Sequence, residues 1–409
     1  MGQPYSVGRG GPMTSACLTD ANYRIEVVRT YERFVEIGPQ WRDICEDAGA
    51  SLFQSHAWIG AWAGAATDGD ARDLRVVVAW RGDRIDAVAP FAIRRTCGLR
   101  ILQWAAQGYS DYCDAVLRPG AAPSLLAQMW RALEKSCAFD FAVLTDVRPG
   151  ACIGVLSERA GGFLQAYHRE ATCSRVLSDA PTGAAWFDAH PKKFRQNYRR
   201  GLAVLEENAR VTFRLLAPDE PLAPALARLC ELKRLRLGEA AAHSSLFAQK
   251  GSATLNALVG AMAREGALRV FVIERDNEII AISVNFEYRG ELFAYLTAFD
   301  PAFARGSPGM ALMINYIKWA IDHGLKSIDL LRGDEAFKRR VATHSITLRS
   351  LCHGRTASGR LLLAGAAIYR RLRYRAPDDD AAPAPCEGLQ SRPQDANPVE
   401  NNSSGTESS

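Results

Sequence analysis

The chain has 409 residues, 48% of them hydrophobic and 23% charged, a balance that suits about two to three globular domains and excludes a fibrous or low-complexity protein. The formal net charge is +5, yet residues 376–409 hold seven acids against one arginine, which leaves +11 on residues 1–375. A basic body suits an anionic ligand such as a nucleotide cofactor, or a weak contact with nucleic acid or an anionic membrane surface. The ten cysteines fall singly, with no CxxC pair and no histidine cluster at ligand spacing, which predicts a reduced, cytoplasmic protein without bound metal.

No apolar run reaches the roughly 18 residues that span a bilayer, and the N-terminus lacks the basic-then-apolar pattern of a secretory leader. Residues 1–21 read as a flexible N-terminus, and 376–409, rich in Pro, Ala, Asp, Asn and Ser, as a disordered acidic tail. Between them the informative feature is an internal repeat. Residues 74–93, LRVVVAWRGDRIDAVAPFAI, align without a gap to residues 268–287, LRVFVIERDNEIIAISVNFE, with seven identities in twenty. Both read as strand, polar turn, strand. Each hairpin leads to a third strand (99–104; 292–299), a loop, a helix (124–137; 309–323) and a further strand (139–145; 327–331). The prediction is a mixed α/β unit used twice, over 22–180 and 181–355, followed by a basic helix over 356–375.

In chain order, FQSHAWIGAW (53–62) holds His56, whose setting reads as a packed or capping histidine. The loop of the first copy, QGYSDYCDAVLRPGAAPS, carries Asp111 and Asp114 where phosphates would be repelled. KKFRQNYRRGL (192–202) spaces Phe194, Tyr198 and Leu202 every four residues, which predicts a buried stripe. Its polar side is either solvated or, through Lys193, Arg195 and Asn197, part of a cleft. Along 279–288 strict alternation puts Ser283, Asn285 and Glu287 on one face and Ile280, Ile282, Val284 and Phe286 on the other. At the next helix Ser307 is positioned to cap and Pro308 suits the first turn, with Arg305 and Gly306 just upstream; its N–H groups and dipole form a candidate pyrophosphate cradle. The charge-dense DLLRGDEAFKRR (329–340) emerges where open α/β sheets place their sites, with Gly333 for the turn, Asp334 as cap and Lys338 one turn on. RLLLAGAAIYRRLRYR (360–375) is too short to span a membrane and reads as a docked helix or an interfacial one touching anionic lipid.

Four stretches together, FQSHAWIGAW, KKFRQNYRRGL, FDPAFARGSPGMALMINYIKWA (299–320) and IDLLRGDEAFKRR (328–340), resemble the GNAT-fold acyltransferases. Within them the likeness is to the tandem branch labelled cellulose-biosynthesis CelD-like, related to the Fem aminoacyltransferases. The resemblance implies two GNAT-like halves, with acetyl-CoA or another acyl-CoA bound to the second by Arg305, Gly306, Ser307, Gly309 and Met310. The usual phosphate loop reads Gln/Arg-x-x-Gly-x-Gly/Ala, and here Gly306 stands where its first residue belongs, the arginine lying one place earlier. The resemblance also makes Glu287 a candidate base, Tyr295 a candidate acid for the leaving thiolate, and Arg332, Glu335 and Lys338 candidate acceptor or phosphate contacts. The expected reaction acylates an amine on a sugar, polysaccharide precursor or small metabolite. Aminoacyl transfer from charged tRNA, and a non-catalytic module of exopolysaccharide machinery, stand as alternatives.

Overall fold

The computed structural model describes residues 23–65, 73–158, 164–238 and 249–373; the predicted flexible N-terminus and the acidic tail lie outside them. The strands are β1 (Arg24–Val28), β2 (Asp73–Arg81), β3 (Arg84–Thr96), β4 (Leu99–Trp104), β5 (Val116–Leu117), β6 (Phe141–Val147), β7 (Gln165–Leu177), β8 (Val211–Leu215), β9 (Leu268–Arg275), β10 (Glu278–Tyr288), β11 (Glu291–Phe299), β12 (Ser327–Arg332) and β13 (His344–Gly354). The helices are α1 (Tyr31–Glu36), α2 (Gly38–Asp47), α3 (His56–Gly64), α4 (Ser124–Ser136), α5 (Val155–Glu158), α6 (Gly183–Asp188), α7 (Lys192–Leu205), α8 (Leu222–Leu237), α9 (Gln249–Arg264), α10 (Pro308–Asp322), α11 (Ala336–Arg339) and α12 (Ala357–Arg373).

The repeated hairpins form as their turns dictate. Two residues close each one, Gly82-Asp83 between β2 and β3 and Asp276-Asn277 between β9 and β10, with positive φ at Gly82, Asp276 and Asn277; such turns match the twist of the paired strands. Both hairpins also bulge at the same place in the repeat: Asp86 and Ile280 have no opposite residue on the neighbouring strand. The bulge corrects the expected alternation along β10. Ile280 joins the core under α10, while Ile282, Val284 and Phe286 face the opposite core. Ser283 and Asn285 meet neither solvent nor cleft. They are fully buried, and the Ser283 hydroxyl lies 2.9 Å from both the Asn285 Oδ1 and the Thr297 hydroxyl.

All the strands form one mixed sheet in the order β1-β2-β3-β4-β6-β13-β7-β12-β11-β10-β9-β8, with β5 paired to β3. The order is palindromic about its centre, and the last strand of each copy has crossed over. β7, which ends the first copy, pairs with β12 of the second; β13, which ends the second, pairs with β6 of the first; and β7 and β13 pair with each other. The halves 22–180 and 181–355 therefore share one backbone hydrogen-bond network, which no cut in the chain separates.

Three cores follow. One lies under α4 and one under α10, while the third spans both halves. In the shared core Trp58 meets Phe286 and Tyr295 edge-on, at ring distances of 5.6 and 5.5 Å, and Phe53 meets Phe293 at 6.1 Å. His56 stacks on Phe34 at 4.3 Å with its Nε2 3.0 Å from the Phe34 carbonyl, a packed histidine as its sequence setting indicated.

The junction carries a buried polar knot. Asp329 on β12 is fully buried and accepts from the Tyr112 hydroxyl at 2.7 Å, the Arg175 Nε at 2.7 Å and the Leu331 N–H at 2.9 Å. Tyr112 belongs to the first copy, Arg175 to the exchanged strand. Asp329→Ala strands the buried Tyr112 hydroxyl and leaves Arg175 only Glu291, at 3.1 Å, and we expect a stability loss of about 3 kcal/mol, measured by urea unfolding.

Candidate active site

β11 and β12 run parallel but pair only at Glu291/Ser327, Leu292/Ile328 and Phe293/Asp329. Beyond that point no ladder joins them. The strands splay, and Tyr295 sits in a second bulge, between Leu296 and Ala294, without an opposite residue on β10. A cavity of about 740 Å³ opens in the wedge. Ala294–Thr297 and Phe299 line one side and Leu330–Arg332 the other, so main-chain groups of β11 that would have faced β12 are left for a ligand.

The N-terminus of α10 opens into the same cavity through Gly306, Ser307, Gly309 and Met310. Ser307 is exposed and takes left-handed φ and ψ of 51° and 52°. Its side chain makes no capping bond, contrary to the expected cap: a capping residue takes extended backbone angles, and Ser307 is left-handed. Pro308 brings no N–H, and the Gly309 N–H donates to no described group. Two glycines let α7 press against this turn. A Cβ on Gly306 would lie 2.3 Å from the Leu205 Cδ2, and one on Gly201 would lie 2.7 Å from the Gly306 carbonyl. α7 packs Phe194, Tyr198 and Leu202 only half-buried against the core under α10, its fully buried residues being Gly201 and Leu205, and turns Lys193, Asn197 and Gly201 to the cavity, which Phe194 and Tyr198 also line.

The remaining walls are charged. Lys233 and Arg236 come from α8, Glu335, Lys338 and Arg340 from in and around α11, and Asp111 from the first copy. The Lys338 Nζ donates to the Arg332 carbonyl at 2.6 Å and stands 3.2 Å from Glu335, so α11 folds back on the strand it follows. Asp334 does not cap α11; Glu335 occupies that position without a side-chain bond, and Asp334 pairs with Arg339 at 2.7 Å. Arg332 binds Asp111 at 2.5 Å and Asp146 at 3.0 Å. Burial pulls its guanidinium down, but the two carboxylates outweigh this and hold it well above the usual arginine range. Burial raises the Asp111 carboxyl, with Arg332 opposing. It also pulls Lys233 down to about 8, helped by Arg236.

Of the residues singled out in the sequence, Lys193, Asn197, Tyr295, Gly306, Ser307, Gly309, Met310, Arg332, Glu335 and Lys338 meet around this one cavity. Three do not line it. Arg305 is exposed beside it, and Arg195 pairs with Asp188 at 3.4 Å. Glu287 faces Leu292 at the closed end of the wedge, where it pairs with Arg269 at 3.0 Å. The cavity opens toward the other end of β11, so this carboxylate stands at the wrong end of the strand for a base. Tyr295 is buried, and its hydroxyl donates to the Tyr109 carbonyl at 2.8 Å; its proton holds a loop rather than facing a leaving group. Sequence reasoning missed Asp111, Lys233, Arg236 and Arg340. For Asp111 the signal was present but assigned to the wrong half. Among the described residues no group of His, Cys, Asp and Glu could hold a metal ion, and no helix is long and apolar enough to cross a membrane.

The mixed sheet, with its splayed parallel pair beside the start of α10, is GNAT-like in fold, and comparison with known proteins agrees. Residues 192–339 match the family model described as Acetyltransferase (GNAT) domain. The crystal structure of FemX superposes with a TM-score of 0.52 at 10% identity, covering 80% of this chain and 96% of that one. The C-terminal domain of a putative lysylphosphatidylglycerol synthetase from Agrobacterium fabrum gives 0.49 at 18% identity, covering 83% and 97%. A tandem GNAT protein from the clavulanic acid biosynthesis pathway gives 0.48 at 12%, covering 80% and 98%. At 10% identity the likeness to FemX is one of fold. No curated protein matches.

Lys233 gives the cavity a pH response. It is protonated below about 8, so affinity for an anion should be highest there and fall as pH rises through that value. Calorimetric titration with pyrophosphate between about pH 6 and 10 should show this decline in the native protein and a flatter profile in Lys233→Met.

Proposed function

We propose that this protein is an N-acyltransferase that moves an acyl group from acyl-CoA to an amine. The observation that carries the reading is that the strand splay and the open N-terminus of α10 share a single cavity with a cationic rim. The Gly309 amide, the helix dipole and Lys193, Asn197 and Arg236 suit the diphosphate of CoA. The pantetheine chain, itself an extended run of amides, suits the gap where β12 ceased to pair with β11. Transfer then needs an unprotonated amine, stabilisation of the oxyanion by preset N–H groups, and a proton for the departing thiolate. The main-chain amides around the Tyr295 bulge suit the second task, and Arg332, Glu335 and Lys338 suit contacts with the acceptor.

The likeness of the four sequence stretches to the CelD-like branch supports an acceptor from polysaccharide or cell-envelope metabolism, handled in the cytoplasm. Aminoacyl transfer from charged tRNA is the second reading, favoured by the fold shared with FemX and by the basic body. A non-catalytic module of exopolysaccharide machinery is the third, favoured by the departure of Gly306 from the usual phosphate loop.

Isothermal titration with CoA, followed by mass spectrometry of glucosamine, lysine and ethanolamine incubated with acetyl-CoA, separates these. We expect CoA to bind, Lys193→Ala to bind it about tenfold more weakly, the worth of one charge-assisted hydrogen bond, and an amine to gain an acetyl group. Displacement by aminoacyl-tRNA but not by CoA would support the second reading. CoA binding without transfer to any amine would support the third.

A further inference from the structure

The loop between β4 and α4 in the first copy spans residues 105–123, whereas its counterpart between β11 and α10 spans only residues 300–307. Part of that length serves the first copy, where the Gln107 Oε1 stands 3.3 Å from the amides of Trp104 and Thr145 and β5 pairs with β3. Residues 109–112 cross to the second copy, where the Tyr295 hydroxyl donates to the Tyr109 carbonyl at 2.8 Å and the Tyr112 hydroxyl to Asp329 at 2.7 Å, and two bonds from the first copy brace them, the Trp58 indole to the Ser110 hydroxyl at 3.0 Å and the Gln54 amide to the Tyr112 carbonyl at 2.9 Å. These bonds hold the residues on either side of Asp111. Asp111 itself is only 7% exposed, and it lines the cavity. Its Oδ1 accepts from Arg332, whereas its Oδ2 has no hydrogen-bond partner among the described residues. A carboxylate with one oxygen held by an arginine in a cavity wall keeps a defined orientation, with its second oxygen accessible from the cavity.

From this geometry we infer that Asp111, supplied by the first half, is the general base for acyl transfer in the second. The assignment deepens the acyltransferase reading and rests on it. As the acceptor nitrogen forms its bond to the thioester carbon, one N–H proton passes to the Asp111 Oδ2. The C–S bond then breaks, and the same carboxyl group returns the proton to the thiolate. Amine and thioester become amide and thiol with nothing left over. Arg332 keeps the carboxylate oriented and Asp146 holds Arg332 in place, so these two are positioning residues in this step. The titratable groups around Asp111 are Arg332, Asp146, Lys338, Tyr295, Cys113 and Cys173. Burial sets its carboxyl above the ordinary range, nearer to the pH at which a base must work.

The test measures thiol release from acetyl-CoA with glucosamine, lysine and ethanolamine as acceptors, beside CoA affinity by calorimetry. Asp111→Asn should lower kcat about 100-fold, leave CoA affinity unchanged, and remove the rise of rate with pH on the acid side. Asp111→Glu keeps the charge and the pairing with Arg332, and should retain that rise at reduced kcat. Asp146→Asn loosens the same arginine without removing the base, so it should retain the rise too. The inference is overturned if Asp111→Asn keeps the native rate and pH profile, or if Asp146→Asn flattens the profile as Asp111→Asn does. A native protein that binds no CoA overturns the acyltransferase reading instead, and the base assignment with it.

Discussion

The exchange of terminal strands governs this molecule. Because β7 lies between β12 and β13, each copy of the repeat completes its sheet with a strand from the other, and the backbone hydrogen bonds of the junction cannot be satisfied by either copy alone. The shared aromatic core around Phe53 and Trp58 and the knot at Asp329 follow from that arrangement. Two units that might have been joined by a linker are instead fixed in register, and a loop of one can reach the site of the other with side-chain precision.

That fixed register explains why the copies diverged. In the second copy the parallel pair of β11 and β12 opens into a cavity bordered by the start of α10. In the first copy the equivalent pair, β4 and β6, also has only a short run of parallel pairing, but the Gln107 Oε1 bridges it, standing 3.3 Å from the amides of both Trp104 and Thr145. One wedge is filled by its own loop and the other is left open. The loop that closes the first then supplies a wall, and a carboxylate, to the second.

Charge in the cavity is arranged in pairs. Arg332 is matched by Asp111 and Asp146, and Lys338 by Glu335, which lets these groups lie in a low-dielectric wall while keeping defined orientations. Lys233, Arg236 and Arg340 add positive charge at the same rim. A cavity with the Asp111–Arg332 pair in one wall and further cations around it suits a ligand that carries negative charge at one end.

The sequence by itself determined the repeat, the hairpins with their two-residue turns, the apolar face of α7 and the position of α10, because each rests on local periodicity or on a turn residue. Ten of the residues it singled out line one cavity. Three matters were settled only by the tertiary structure. The bulge at Ile280 broke the alternation that had put Ile280 beside Ile282. The direction of the splay left Glu287 at the closed end of β11. The strand exchange brought Asp111 to Arg332 across 221 residues of chain. A motif reports what its neighbours in sequence can do, whereas pairing register and strand exchange depend on which distant backbone groups find each other, and no local pattern encodes that choice.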